Sequence, residues 1–263
     1  MPRAIATKKA RSFPLDAWGV PAARRLRVHV PPKGRARGFA VFLHGFGSNQ
    51  RGEKAAALRK PLLDAGIAYA TFDSRGTGDR PDDFLDLTAT RLVEDCLSVV
   101  RALSPRFGRA VLVGSSLGGF TAAWAAALRP RLVAGVALIA PSFLFLDRYV
   151  SSLSGAALDR WRRDGFRPYP GPFFDAKLSY DLAVDAPRYR YADLCRRFTV
   201  PALVLHGLRD DLVPVADSED FLRRARSKEI DLVVFKSGDH RLTGKKREIA
   251  ALVAAAARRF LGG

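Results

Sequence analysis

Cysteine is scarce in this chain. Cys96 and Cys195 are the only two in 263 residues, too few for a disulfide framework at this length. Neither stands in a CxxC or His–Cys ligand spacing, so a structural metal of that kind is excluded. Both fall in segments with helical patterning and are expected as reduced, packed thiols of a cytoplasmic protein. Long apolar runs are also missing, and none approaches the roughly 20 residues needed to cross a bilayer. Residues 1–12 are basic and lack the apolar core of a secretory signal. Their lack of acids suits either a disordered basic tail or an organelle-targeting segment. No GKS/T phosphate loop occurs. Gly76-Thr77-Gly78 lacks the third glycine of a dinucleotide fingerprint, because Pro81 stands there. No cofactor is therefore expected.

Acidic residues are outnumbered, 26 against 44 Lys plus Arg, for a formal net charge of +18. Such a balance can attract polyanions or a membrane surface. Here arginine exceeds lysine about three to one along the whole chain, a general bias rather than a patch. The densest stretch, Arg24, Arg25, Arg27, Lys33, Arg35 and Arg37, flanks a predicted hairpin. No aromatic RNA-binding motif or helix-turn-helix accompanies it, so nucleic acid is not the expected partner.

What is present reads as one α/β domain with an insertion. Residues 25–30 alternate as a half-exposed strand does, and Pro31-Pro32-Lys33-Gly34 makes a turn. Short apolar strands are predicted at 39–43, 67–72, 109–113, 133–140, 202–205 and 232–235. Helical spacing covers 54–65, 83–103, a segment ending near Leu128, 217–226 and 244–260. This alternation predicts a mostly parallel sheet flanked by helices. We expect a basic tail over 1–24, a core over 25–141 and 199–263, and a cap over 142–198. That insertion is too long for a plain connection. It carries five of the six tyrosines (Tyr149, Tyr169, Tyr180, Tyr189, Tyr191), with Trp161, Phe143, Phe145, Phe166, Phe173 and Phe174. Most of these aromatics are expected to pack the cap onto the body, and a few to line a pocket at the sheet's carboxyl edge.

The strongest motif is Gly114-Ser115-Ser116-Leu117-Gly118, set between the apolar run 110–113 and a small-residue helix. A nucleophile elbow needs that strand–turn–helix context, with small residues two before and two after the nucleophile. A serine hydroxyl needs a base to take its proton, and the base works best when a carboxylate fixes its tautomer. In this fold order the acid and then the histidine follow the serine. Of the four histidines, His29, His44, His206 and His240, only the last two follow Ser116. His206 precedes the acid candidates and belongs to a strand-ending His-Gly, which leaves His240 as base. The segment 206–214 offers Asp210 and Asp211. Asp210 is preferred as the acid, and Asp211 would point away and could cap the next helix. Two N–H donors are needed for the developing oxyanion. Leu117 follows the nucleophile, and Phe46 lies in His44-Gly45-Phe46-Gly47. His44 is expected to stabilise that turn.

These segments, with Phe72-Asp73-Ser74-Arg75-Gly76-Thr77-Gly78 and Asp239-His240-Arg241, resemble the serine-type α/β-hydrolase superfamily over residues 38–258. Within it the chain is similar to the branch holding the mitochondrial palmitoyl-protein thioesterases and acyl-glucuronide esterases of animals. It departs at His44, where that branch has proline, and so is similar to bacterial carboxylesterases as well. The resemblance implies Ser116 as nucleophile, Asp210 as acid and His240 as base. It implies an esterase or thioesterase acting on small acyl substrates through an acyl-enzyme. A prolyl-oligopeptidase-like peptidase or an acyltransferase on the same fold is the alternative, and a binding protein using the basic surface is a third.

Overall fold

In the computed structural model, residues 11–14, 25–32, 36–77, 81–170 and 175–262 are described. Arg24, Lys33, Gly34, Arg35, Gly78, Phe173 and Phe174, all named above, lie outside them, as does most of the expected tail. The first half of the chain runs β1 (Arg11–Pro14), β2 (Arg25–His29), β3 (Phe39–Leu43), α1 (Glu53–Asp64), β4 (Ala68–Thr71), α2 (Ala89–Phe107), β5 (Ala110–Ser115), α3 (Leu117–Leu128) and β6 (Val133–Ile139). The inserted segment contributes α4 (Phe145–Ser151), α5 (Gly155–Asp164), β7 (Phe166–Pro170), β8 (Asp175–Ser179), α6 (Asp181–Asp185) and α7 (Tyr191–Arg197). The chain then returns through β9 (Ala202–Gly207), α8 (Val215–Arg224), β10 (Ile230–Phe235) and α9 (Lys246–Phe260).

Eight strands form the main sheet in the order β1-β2-β4-β3-β5-β6-β9-β10. From β4 to β10 the neighbours are parallel; β1 and β2 join antiparallel at one edge. Strand periodicity sorts the core into two layers. Phe39, Val41, Leu112, Val136 and Leu138 face Leu92, Val99, Phe120 and Trp124 of α2 and α3. Ala40, Phe42, Val111, Val113 and Leu205 face Leu58, Leu62, Ile249 and Val253 of α1 and α9. Each fully buried side chain of this size contributes about 1.5–3 kcal/mol, so both sheet faces must be covered. Helix α3 is buried from Leu117 to Ala127, as its apolar composition requires.

Two boundaries differ from expectation. Residues 11–14, expected as tail, hydrogen-bond to β2 and cover its edge. The helix expected from residue 83 begins at Ala89, because Thr88 accepts from the Arg91 N–H at 3.1 Å and caps it there. Residues 81–84 make a separate 3₁₀ turn whose acids, Asp82 and Asp83, imitate a helix start in sequence.

Candidate active site

The parallel strands β3, β5 and β9 all end at one edge of the sheet. Their carboxyl ends deliver His44-Gly45, the Ser116 turn and His206-Gly207 to the same place. Ser116 sits between β5 and α3 with φ 54° and ψ −116°, a region that costs a non-glycine residue about 1–3 kcal/mol. The backbone around it holds that conformation. The Ser116 N–H donates to Ile139 O at 2.9 Å, and its carbonyl accepts from Gly119 and Phe120 at 2.8 and 3.1 Å. The flanking glycines are required by space. A Cβ on Gly114 would lie 2.2 Å from the Gly118 carbonyl oxygen, and one on Gly118 would lie 2.0 Å from that of Leu43.

Ser116 Oγ lies 3.0 Å from His240 Nε2, and His240 Nδ1 lies 2.8 Å from Asp210 Oδ2. A carboxylate only accepts, so Nδ1 carries the proton and, in the neutral ring, Nε2 presents its lone pair to the serine hydroxyl. The structure thus brings the three sequence-selected residues into one hydrogen-bonded chain. Asp211 is exposed. Helix α8 starts behind Pro214 without a side-chain cap, so the capping role considered for Asp211 is not observed. Asp239 instead fixes the loop that carries His240, its Oδ1 accepting from Leu242 N at 2.7 Å. The acid and base loops are joined by Arg209 N donating to Gly238 O at 2.8 Å.

The Asp210 side chain is fully buried and accepts four hydrogen bonds. Oδ1 takes the N–H groups of Leu212 and Val213 at 3.0 and 2.8 Å; Oδ2 takes His240 and also His206 Nε2 at 3.1 Å. Burial alone would raise its carboxyl. The bonds from His206, His240 and Val213 outweigh burial and hold it well below the ordinary carboxylate range. His206 as a partner of the acid was not anticipated. The available signal was its place four residues before Asp210, at a strand end.

In the loop after β3, the Phe46 ring packs 4.8 Å from Phe84 and 5.4 Å from Tyr169, and Tyr169 lies 5.4 Å from Tyr149. Aromatic side chains of the inserted segment thus reach the loop after β3. Leu117 is the first residue of α3, where helical N–H groups have no partner within the helix. The loop is tied down by Asp73 after β4. Gln50 donates to it through both its backbone N–H and its side-chain amide, each at 2.7 Å, and His44 Nε2 lies 3.3 Å away. Burial pushes the Asp73 carboxyl up, but the His44 and Gln50 contacts prevail and hold it at about 2. Asp73 and Gln50 were not selected from the sequence, which offers no spacing rule for a residue that serves only the loop. The turn after Asp73 is tied to α2. Its Arg75 N and Nε donate to buried Asp95 of α2 at 2.7 and 2.8 Å.

A cavity of about 270 Å³ opens at Ser116 and His240, lined further by Gly45, Phe46, Lys54 and Arg241. Burial lowers the Lys54 ammonium below its usual value, and the Asp239 charge opposes that shift. No group of three or more His, Cys, Asp or Glu side chains suited to a metal occurs among the described residues. Both cysteines are free and buried. No helix among the described residues is long and apolar enough to cross a membrane.

A parallel sheet with a strained serine turn, a histidine and a carboxylate at its carboxyl edge defines a class. Residues 40–256 match the alpha/beta hydrolase family; the chain belongs to it and is a hydrolase. Among individual relatives, the mitochondrial palmitoyl-protein thioesterase ABHD10 of Bos taurus is 29% identical over 224 residues, covering 84% of this chain and 72% of the relative. Esterase EstD of Thermotoga maritima is 27% identical over 240 residues, covering 80% of this chain and 56% of EstD. Among solved structures, mouse alpha/beta hydrolase domain-containing protein 10 superposes with a TM-score of 0.72 at 26% identity, covering 89% of this chain and 92% of that one.

Proposed function

We propose that this chain is a serine hydrolase that cleaves carboxylic ester or thioester bonds of small acyl substrates through an acyl-enzyme. The observation that carries this reading is the unbroken hydrogen-bonded chain Ser116–His240–Asp210 at the mouth of the cavity. His240 Nε2 takes the Ser116 proton as Oγ attacks the carbonyl carbon. The oxygen that becomes negative is held by the N–H groups of Phe46 and Leu117. The intermediate collapses, the carbon–oxygen or carbon–sulfur bond breaks, and His240 returns its proton to the departing alcohol or thiol. A water then gives a proton to His240 and attacks the acyl carbon; Ser116 leaves with that proton and the free acid is released.

We take residues 142–198 as the cap; its Tyr149–Tyr169 pair packs on Phe46, which lines the cavity. The free, buried thiols suit a reducing compartment. Cytosol fits that description, as does the mitochondrion named for the animal relatives. Ser116→Ala is expected to lower turnover of p-nitrophenyl esters by roughly 10⁴-fold or more, since such residues act as a unit. A fluorophosphonate probe is expected to label the parent at Ser116 and to leave the variant unlabelled. Full turnover in the variant would end this reading.

A further inference from the structure

His206 is fully buried at the end of β9, four residues before Asp210. Its Nε2 faces two groups that can only accept, Asp210 Oδ2 at 3.1 Å and the Val213 carbonyl at 2.9 Å. Nε2 therefore carries a proton in either protonation state of the ring. Nδ1 lies 2.7 Å from Ser218 Oγ on α8. The chain of contacts thus runs past the acid, from Asp210 through His206 to Ser218.

From this geometry we infer that His206 is a positioning residue for the acid. Its Nε2–H holds Asp210 Oδ2 in the line of His240 and draws charge from that oxygen, and Ser218 fixes the ring's orientation. The inference rests on the reading of Ser116, His240 and Asp210 just given. One carboxylate oxygen serves two imidazoles, so the second imidazole sets how strongly the carboxylate supports the imidazolium that forms on the first.

The charges around the cluster are limited in number. Lys54 of α1 interacts with Asp210, Asp239, Glu53 and Arg241. Glu53 is paired with Lys246 at 2.7 Å. Behind His206, Asp217 neighbours Ser218 on α8 and is held by Arg148 of α4 at 2.5 Å. None of these replaces the Nε2–H donor, because His206 and the two backbone N–H groups complete the Asp210 shell.

The test is the pH dependence of ester hydrolysis. With the donor gone in His206→Leu, Asp210 keeps more charge toward His240 and the imidazolium is favoured. The acid limb of kcat/KM is expected to move upward by about one pH unit, with kcat about tenfold lower and KM little changed. In ¹H NMR the downfield Nδ1–H resonance of His240 is expected to move as well. His206→Gln, whose amide N–H can reach the carboxylate but does not titrate, is expected to restore the limb to its parent position. Ser218→Ala is expected to move the limb in the same direction by less, and it carries the test if His206→Leu does not fold.

An acid limb at its parent position in the folded His206→Leu protein overturns the inference, and so does one that is shifted equally in His206→Gln. If only Ser218→Ala can be measured, an unmoved limb there does the same. Failure of the underlying reading is separable, since Ser116→Ala would then keep its turnover while the histidine variants told nothing of a triad.

Discussion

The dipeptide His-Gly directly follows β3 and ends β9, and the two copies do different work. His44 belongs to the loop after β3, its ring beside Asp73 and its Nδ1 3.0 Å from the carbonyl of Gly45. His206 is on the acid side, sealed from solvent, and bonded to Asp210, Val213 and Ser218. The glycines differ in the same sense. A Cβ on Gly45 would meet the Ser115 carbonyl oxygen and Ser116 Cβ, each at 3.2 Å, which asks these neighbours to give by a few tenths of an ångström. One on Gly207 would lie 2.4 Å from the Gly238 carbonyl oxygen, which is backbone of the loop that carries His240. The lesson is that the same two residues at the same kind of strand end hold the loop after β3 on one side and the Asp210–His240 pairing on the other.

That contrast can be broken experimentally. The largest effect is expected from Gly207→Ala. Pushing the Gly238–His240 backbone away should cost about 1–3 kcal/mol in urea unfolding from overpacking. Ester turnover should fall by roughly 100-fold or more, since displacements of about 1 Å at a reacting group are that expensive. A variant with parent-like turnover would remove the distinction between the two strand ends.

Next comes Asp73→Asn, which takes the charge from the partner of Gln50 and His44. It should lose about 1–3 kcal/mol and lower kcat by a smaller factor than Gly207→Ala. Equal losses of activity would show that the two sides are coupled rather than separate.

The smallest effect is in the pH dependence of stability. The folded Asp73 value of about 2 lies below the ordinary 3.8. Its contribution is therefore present in full above that ordinary value and disappears as pH falls toward 2. Asp210 acts in the same direction. Unfolding curves between pH 5 and pH 2 should thus be steeper for the parent than for Asp73→Asn, which no longer titrates at that position.

Much of the sheet was legible because buried parallel strands are short apolar runs, and those at 39–43 and 133–140 need no other signal. Ser116, Asp210 and His240 could be picked out by chain order, and the structure brings them together. What could not be read is three-dimensional in origin. The start of α2 depends on a single Thr88 side chain, whereas Asp82 and Asp83 advertise a helix one turn and more too early. The His206 ring looks like any strand-ending histidine until β9 and α8 are set side by side. Asp73 and Gln50 lie 23 residues apart, and only the pairing of β3 with β4 makes them neighbours.

The inserted segment is fastened at two buried carboxylates. Arg148 of α4 forks onto Asp217 of α8 at 2.5 and 2.6 Å. Asp185 of α6 accepts the backbone N–H and hydroxyl of Thr90 on α2, each at 2.6 Å. For anyone exchanging residues 142–198 between relatives, these are the joints to keep. A donor segment without a cation at 148 would leave the Asp217 carboxylate without its half-exposed partner, a defect of about 1–3 kcal/mol. One without a carboxylate at 185 would strip the first turn of α2 of its acceptor. Neither joint involves the rings of Tyr149 and Tyr169, whose contacts with each other and with Phe46 and Trp161 a graft must satisfy separately.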